Sequence, residues 1–251
     1  MDEDSAVVEW YRTFTKEWPK PSAIVVISAH WEGRGSVRVT AGAKHPLFYD
    51  YYGFPRHTYQ LSYDCPGEPA LADRILGLLR EAGLPARGEK SRGYDHGVFV
   101  PLKLMYPDAD IPVVQVSLLA GLDEEEHLKI GEALKTLLQD ENILVIGSGQ
   151  STHNFSASSN SYTRRKYMRM EVEFAAWLKE TATDPHLPPQ ERRRRLLEWE
   201  KVAPNARVAH PREEHLLPLH VVSAYTGFSP GRVIYDEFVP GEMSMASMAF
   251  W

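Results

Sequence analysis

A single cysteine, Cys65, is all the thiol that this 251-residue chain contains. That excludes an internal disulfide and any zinc site built on several cysteines. Long apolar runs are missing as well, since no stretch approaches the roughly 20 residues needed to span a bilayer. Basic charge is not in excess: 28 Lys and Arg stand against 34 Asp and Glu, for a formal net charge of −6. This is the wrong sign for a general nucleic-acid binder. The first ten residues carry four acids and no basic residue, which suits neither a secretory nor a transit peptide. A cytoplasmic location is therefore expected, with neither membrane nor nucleic acid among the partners. The chain also lacks GxGxxG, the phosphate-binding GxxxxGK[ST], the GxSxG elbow and an HExxH helix.

What is present is the composition of a folded enzyme. Hydrophobic residues make up 43 % of the chain and aromatics 11 %, too many for a disordered protein. A chain of this length buries about three quarters of its unfolded surface without help from disulfides or structural metal. Residues 1–251 are expected to form a single catalytic domain. No internal repeat is found. The one biased stretch, Glu191 to Arg195, reads as the wet face of a helix, because Leu196, Leu197 and Trp199 follow with acids around them.

Continuous apolar runs at residues 23–28, 111–118 and 142–146 predict strands buried on both faces. Looser alternation at 36–40 and 57–63 predicts strands nearer an edge, and 231–238 and 243–250 predict closing strands. Helical spacing appears at 68–82, 123–139, 164–180, 189–202 and 212–225. Strands alternating with helices give an α/β fold, a central mixed β-sheet flanked by helices on both faces.

Histidine, with 10 residues, carries the chemistry. Residues 23–28 run into Ala29-His30-Trp31, and 142–146 run through Gly147-Ser148-Gly149 to Thr152-His153-Asn154. In open α/β sheets ligands bind beyond the carboxyl ends of strands, so both histidines are placed for function. The small residues around Ser148 and Gly149 let a ligand approach the backbone. His215, in the block His210-Pro211-Arg212-Glu213-Glu214-His215, is placed in the first turns of an apolar helix, where an imidazole suits a divalent metal. His220 lies five positions on and is read as structural.

These blocks also resemble a known family. Lys20 to Trp31 (KPSAIVVISAHW), Tyr49 to Pro55 (YDYYGFP), Tyr63 to Pro69, Arg92 to Phe99 (RGYDHGVF), Met105 to Pro112, the Thr152-His153-Asn154 turn and the stretch from His210 to Leu219 occur in the order seen in class III extradiol ring-cleavage dioxygenases. The similarity is to the branch containing 4,5-DOPA dioxygenases and covers residues 19–227. It implies that His30 and His215 are metal ligands, that His153 is the catalytic acid/base and that His96 is a substrate-binding histidine. The cofactor it implies is Fe(2+) for turnover, with Zn(2+) able to occupy the isolated protein. The implied partners are a small aromatic diol and dioxygen, and the implied product is a muconic semialdehyde.

The family pattern begins with a strand leading into a His-Gly-x-Pro turn, whose histidine is a first metal ligand. Residues 1–19 contain no histidine and no buried strand precedes Ala23, so that strand and ligand are expected to be missing here. Spacing alone does not choose a replacement among His45, His57, His210, Glu213 and Glu214. A metal-depleted, non-catalytic binding or signalling protein on the same fold therefore stays open, as does a zinc hydrolase using His30 and His215.

Overall fold

The computed structural model describes residues 5–139, 142–155, 161–238 and 243–251. The chain divides into two compact units, Met1–Gly121 with Thr136–Ser148, and Leu122–Lys135 with Gly149–Trp251. Each unit is thus built from two separate stretches of sequence.

The first unit holds a five-stranded sheet. Its strands are β1 (Ala23–Gly33), β2 (Val37–Thr40), β3 (Ala86–Glu89), β4 (Val113–Leu119) and β5 (Ile143–Ser148), in the spatial order β3-β2-β4-β1-β5. β1 runs parallel to both β4 and β5, while β2 meets β4 antiparallel at Val39 and Val116, so the sheet is mixed. Every residue of β4 is buried, and so are residues 23–29 of β1. Because successive side chains point to opposite faces, burial without alternation means that both faces are covered. Among the described residues the α-helices of this unit are α1 (Ala6–Thr13), α2 (Pro69–Glu81) and α3 (His96–Met105). α2 packs on β2 and β3, and α3 packs on β1 with α1 against it. Val98, Phe99 and Leu102 of α3 join Ile24, Val26 and Val113 in one apolar cluster.

β1 is longer than the apolar run predicts. Its pairing with β4 is regular from Ile24 to Ser28, then slips so that Glu32 pairs with Leu118. His30 therefore lies inside a strand, at a break in the ladder, rather than in a turn beyond it. Such irregularities bend a strand and re-aim its side chains. Residues 57–63 are not an edge strand: a 3-10 helix occupies Arg56–Gln60. α1, β3 and α3 were not predicted. α3 contains Pro101, which has no N–H for the carbonyl of Gly97, and the hydroxyl of Ser148 donates to that oxygen instead at 2.6 Å.

The second unit contains α4 (Glu124–Leu134), α5 (Ser161–Thr183), α6 (Pro189–Leu197), α7 (Trp199–Val202), α8 (Ala206–Ala209) and α9 (Leu217–Tyr225), with the two-stranded β6 (Arg232–Tyr235) and β7 (Ser247–Ala249). Asp123 caps α4, accepting from the Glu126 N–H at 2.9 Å. α9 starts at Leu217, five residues later than predicted, because Pro218 fits only the first turn of a helix. His215 thus precedes α9. The basic run behaves as expected except for Arg192. Arg194 and Arg195 pair with Glu191, whereas Arg192 is fully buried and donates to the carbonyls of Thr181, Asp184 and Phe228. His220 is structural, with Nε2 donating to Leu196 O at 2.8 Å. Among the described residues no helix is long and apolar enough to cross a membrane.

One buried group gives this unit a pH-dependent stability. Glu171 of α5 is 1 % exposed and its Oε1 has no hydrogen-bond partner among the described residues. Burial pushes its carboxyl up from 4.5 to about 7. The unfolded chain then loses this proton first, so stability falls as pH rises through that window. The expected loss is on the order of 2–3 kcal/mol. Urea unfolding followed from about pH 5 to pH 8 checks it: Glu171→Gln should flatten the profile and be the more stable protein at the upper end.

Candidate active site

Each unit brings together two of the four predicted histidines and adds one carboxylate: Asp50, which was not predicted, in the first, and Glu214, one of the replacement ligands left open, in the second.

In the first unit, His30 and His96 lie with ring centroids 4.0 Å apart. His30 comes from the break in β1, and His96 opens α3. The approach depends on Gly97, where a Cβ would fall 2.7 Å from Ser28 Oγ and 3.1 Å from His30 Cδ2. Asp95, the N-cap residue of α3, is fully buried and ties the helix start to the sheet. It accepts from Ser28 Oγ at 2.8 Å and from Gln115 Nε2, with Arg92 at 3.4 Å. Burial pushes its carboxyl up despite the hydrogen bonds and the arginine.

Asp50 is the carboxylate of this set. Its Oδ1 accepts from the His96 backbone N–H at 2.9 Å and faces the His96 ring Nδ1 at 2.8 Å. Its Oδ2 lies 3.6 Å from His30 Nδ1. Burial favours the protonated acid, but the two His96 hydrogen bonds and the charges of His96 and His30 outweigh it, so the pKa of Asp50 is lowered. His96 is therefore held by Asp50 and not by its neighbour Asp95. Tyr51 stands edge-on to His96, with centroids 5.7 Å apart, and packs against Phe99. Tyr49 and Tyr51 pack into the apolar cluster, whereas Tyr52 is 92 % exposed and Phe54 56 %.

In the second unit, His153 and His215 stack face to face, with centroids 3.5 Å apart and planes 13° from parallel. His215 Nδ1 is 3.0 Å from Glu214 Oε1, and His153 Nδ1 is 3.6 Å from the same oxygen. The loop that carries His153 docks on the chain at His215 through the Gln150 N–H, which donates to the His215 carbonyl at 2.9 Å. Gly149 makes this possible: a Cβ there would lie 2.2 Å from that carbonyl oxygen. The small residue thus admits backbone, not a ligand as the sequence suggested. Gly149→Ala should cost about 1–3 kcal/mol and break the stack of imidazoles. A thermal melt and metal content, measured together on that variant, check both effects.

Burial, followed by the nearby His215, lowers the pKa of His153 to about 4, against the opposing pull of Glu214. Glu214 goes the other way. Burial raises it, but hydrogen bonds from His215 and the backbone, with the charges of His215 and Arg212, bring it down to about 2.

Both sets fit a metal by donor chemistry. In each, two imidazole nitrogens and one carboxylate oxygen lie within 4.8 Å of one another. Two histidines and one carboxylate are the donor set of non-haem iron oxygenases. Of the replacement ligands left open by the sequence, only Glu214 lies in such a set among the described residues. His45 is buried with Nδ1 donating to Arg92 O at 2.9 Å and Nε2 accepting from the Gly42 N–H at 3.0 Å, so both ring nitrogens are used. His210 is fully buried and donates from Nε2 to Ser151 O. Glu213 pairs with Arg207.

The family model described as the catalytic LigB subunit of aromatic ring-opening dioxygenase matches residues 1–250. The chain belongs to the LigB family. Among its relatives are proteins named 4,5-DOPA dioxygenase extradiol from Beta vulgaris, 40 % identical over 92 % of this chain and 83 % of the relative, and from Escherichia coli K12, 34 % identical over 94 % and 87 %. A Schizosaccharomyces pombe protein named 4,5-DOPA dioxygenase extradiol-like is 38 % identical over 89 % and 74 %. The crystal structure of an uncharacterized Escherichia coli K12 protein matches with a TM-score of 0.73 and 28 % identity, covering 99 % of this chain and 93 % of that one. This LigB-family chain is an extradiol aromatic ring-opening dioxygenase: its chemistry joins an aromatic substrate with dioxygen and depends on a metal.

Proposed function

We propose that the protein is an Fe(II)-dependent extradiol dioxygenase that opens a small catechol of the DOPA type beside its diol, giving a muconic semialdehyde. The observation that carries this reading is that the four histidines marked by the family resemblance fall into two sets, each completed by a carboxylate. The names of the relatives support the substrate class. In this reading His30 and His215 are metal ligands, His153 is the acid/base and His96 binds substrate. Ferrous iron, when bound, acidifies the diol as a Lewis acid and supplies the redox chemistry for dioxygen.

The protein's own groups handle the protons. His153 is neutral at pH 7 and accepts a proton from a phenolic hydroxyl. As a weakly basic imidazole it returns that proton readily when the ring opens. Tyr51, edge-on to His96, offers an apolar flank for a planar ring. Both oxygen atoms of dioxygen end in the product, so no separate reductant is required. The partners of this reading are the diol and dioxygen, and the formal net charge of −6 does not favour nucleic acid.

Ferrous-loaded protein mixed in air with DOPA, caffeate or protocatechuate tests it. A yellow conjugated semialdehyde should form with one dioxygen consumed per ring. Oxygen uptake with a colourless product would mean cleavage between the hydroxyls. No uptake would leave the non-catalytic binding protein as the better reading.

A further inference from the structure

We infer that Asp50 and Glu214 are positioning residues, one in each unit, that fix the Nδ1–H tautomer of His96 and His215 so that Nε2 is the nitrogen offered to substrate or metal. The roles given to the two histidines rest on the proposed function above, but the tautomers do not.

The inference comes from geometry that recurs. In both units one carboxylate faces the Nδ1 atoms of two imidazoles, one at hydrogen-bond distance and one farther out. The pairs are 2.8 and 3.6 Å for Asp50, and 3.0 and 3.6 Å for Glu214. Both carboxylates are largely withdrawn from solvent, with side chains 11 % and 13 % exposed. The two sets share no residue and come from unrelated local structures, a tyrosine-rich loop before α3 and the turn before α9.

An ionised carboxylate only accepts hydrogen bonds. The ring nitrogen that faces it at 2.8 or 3.0 Å must therefore carry the proton. In a neutral imidazole the other nitrogen, Nε2, then carries the lone pair. Free imidazole side chains prefer the opposite tautomer, so the carboxylate works against the default. For His215 the consequence is coordination through Nε2, with the outer carboxylate raising its basicity. For His96 the consequence concerns substrate: an Nε2 lone pair accepts a hydrogen bond and does not give one. The group it recognises must be a donor, such as a ring hydroxyl, and not a carboxylate or an ether oxygen. Asp50 is anchored for this task, because the same Oδ1 also takes the His96 backbone N–H.

The test reads the tautomer directly. Metal-free protein with 15N-labelled histidine is studied by long-range proton–nitrogen correlation at about pH 8, with His96→Gln and His215→Gln used to assign the signals. Wild type should show both rings with the proton on Nδ1. Asp50→Ala should shift His96 but not His215 toward the Nε2–H form, and Glu214→Ala should shift His215 but not His96. Asp50→Asn and Glu214→Gln each keep an acceptor oxygen and should retain the wild-type tautomer, which separates positioning from loss of fold. Cobalt(II) titration followed in the visible should then show a roughly 10–100-fold weaker affinity for Glu214→Ala and less than that for Glu214→Gln. Nε2–H rings in the wild type, or rings unchanged in the alanine variants, would overturn the inference whether or not the protein cleaves catechols. Correct tautomers in a protein without oxygen uptake would uphold it and sink only the dioxygenase reading.

Discussion

His30→Ala and His215→Ala proteins, purified without oxygen and loaded with ferrous iron, are expected to lose metal affinity by more than about 100-fold, beyond the 10–100-fold that loss of an outer partner costs. In the proposed reading each substitution removes an imidazole that ligates the metal, whereas His96 and His153 do not ligate it. A site that has lost one of its imidazole ligands holds a divalent ion weakly, since affinity grows with the number of pre-placed donors. Turnover should vanish with the metal. The contrast is His45→Ala. Both ring nitrogens of His45 are already used by the backbone at Arg92 and Gly42, so that variant should lose stability but keep its iron. Metal analysis after desalting, with competition by a chelator, gives the affinities. Full iron content in His30→Ala or His215→Ala would remove that residue from the ligand set.

The sheet was legible because its central strands are buried on both faces. Residues 23–28 and 113–118 are nearly continuous Val and Ile, a pattern that water-exposed segments do not show. β3 was not legible for the converse reason. Its sequence Ala-Arg-Gly-Glu forms an outer strand with two exposed residues, so no pattern of burial was written into it. α3 hid for another reason. His96–Met105 is apolar on most sides and contains Pro101, which conceals the 3.6-residue period and reads as a breaker. Ser148 compensates for that proline, and this contact joins segments 51 positions apart.

The candidate site divides in the same way. His30 and His153 could be found because strands lead into them, and His215 because it borders an apolar helix. His96 had no signal of its own beyond the resemblance. Asp50 had none at all: it sits among tyrosines in a loop, and its value arises only when α3 brings the His96 N–H to its Oδ1. Glu214 was named among possible replacement ligands but could not be told from Glu213. The structure separates them, since Glu213 turns to Arg207 while Glu214 faces two imidazoles. A weak clue was present in the glycines. Gly97 and Gly149 each sit beside a site histidine, and each is where two chain segments approach too closely for a Cβ.

His153→Ala is expected to separate chemistry from binding. Turnover should fall by roughly 10²–10⁴-fold, the usual contribution of a positioned acid/base, while iron content and the KM for the diol change little. Several features select His153 for the role. Burial and the stacked His215 ring lower its pKa to about 4, so at pH 7 it is a neutral imidazole able to take a proton. The stack favours that state, because positive charge on His215 3.5 Å away disfavours a second cation, so a proton taken by His153 is readily given back. Its loop is pinned at both ends, by Gln150 on the His215 carbonyl and by the His153 N–H, which donates to Ala209 O at 2.8 Å. The ring is therefore placed by backbone contacts that alanine leaves intact, and the substitution should not unfold the loop. His153→Gln keeps a polar side chain of similar length but cannot cycle a proton, so it should resemble alanine in turnover and wild type in melting temperature. A large loss of iron in His153→Ala would instead make His153 a ligand, and the acid/base would have to be sought in His96.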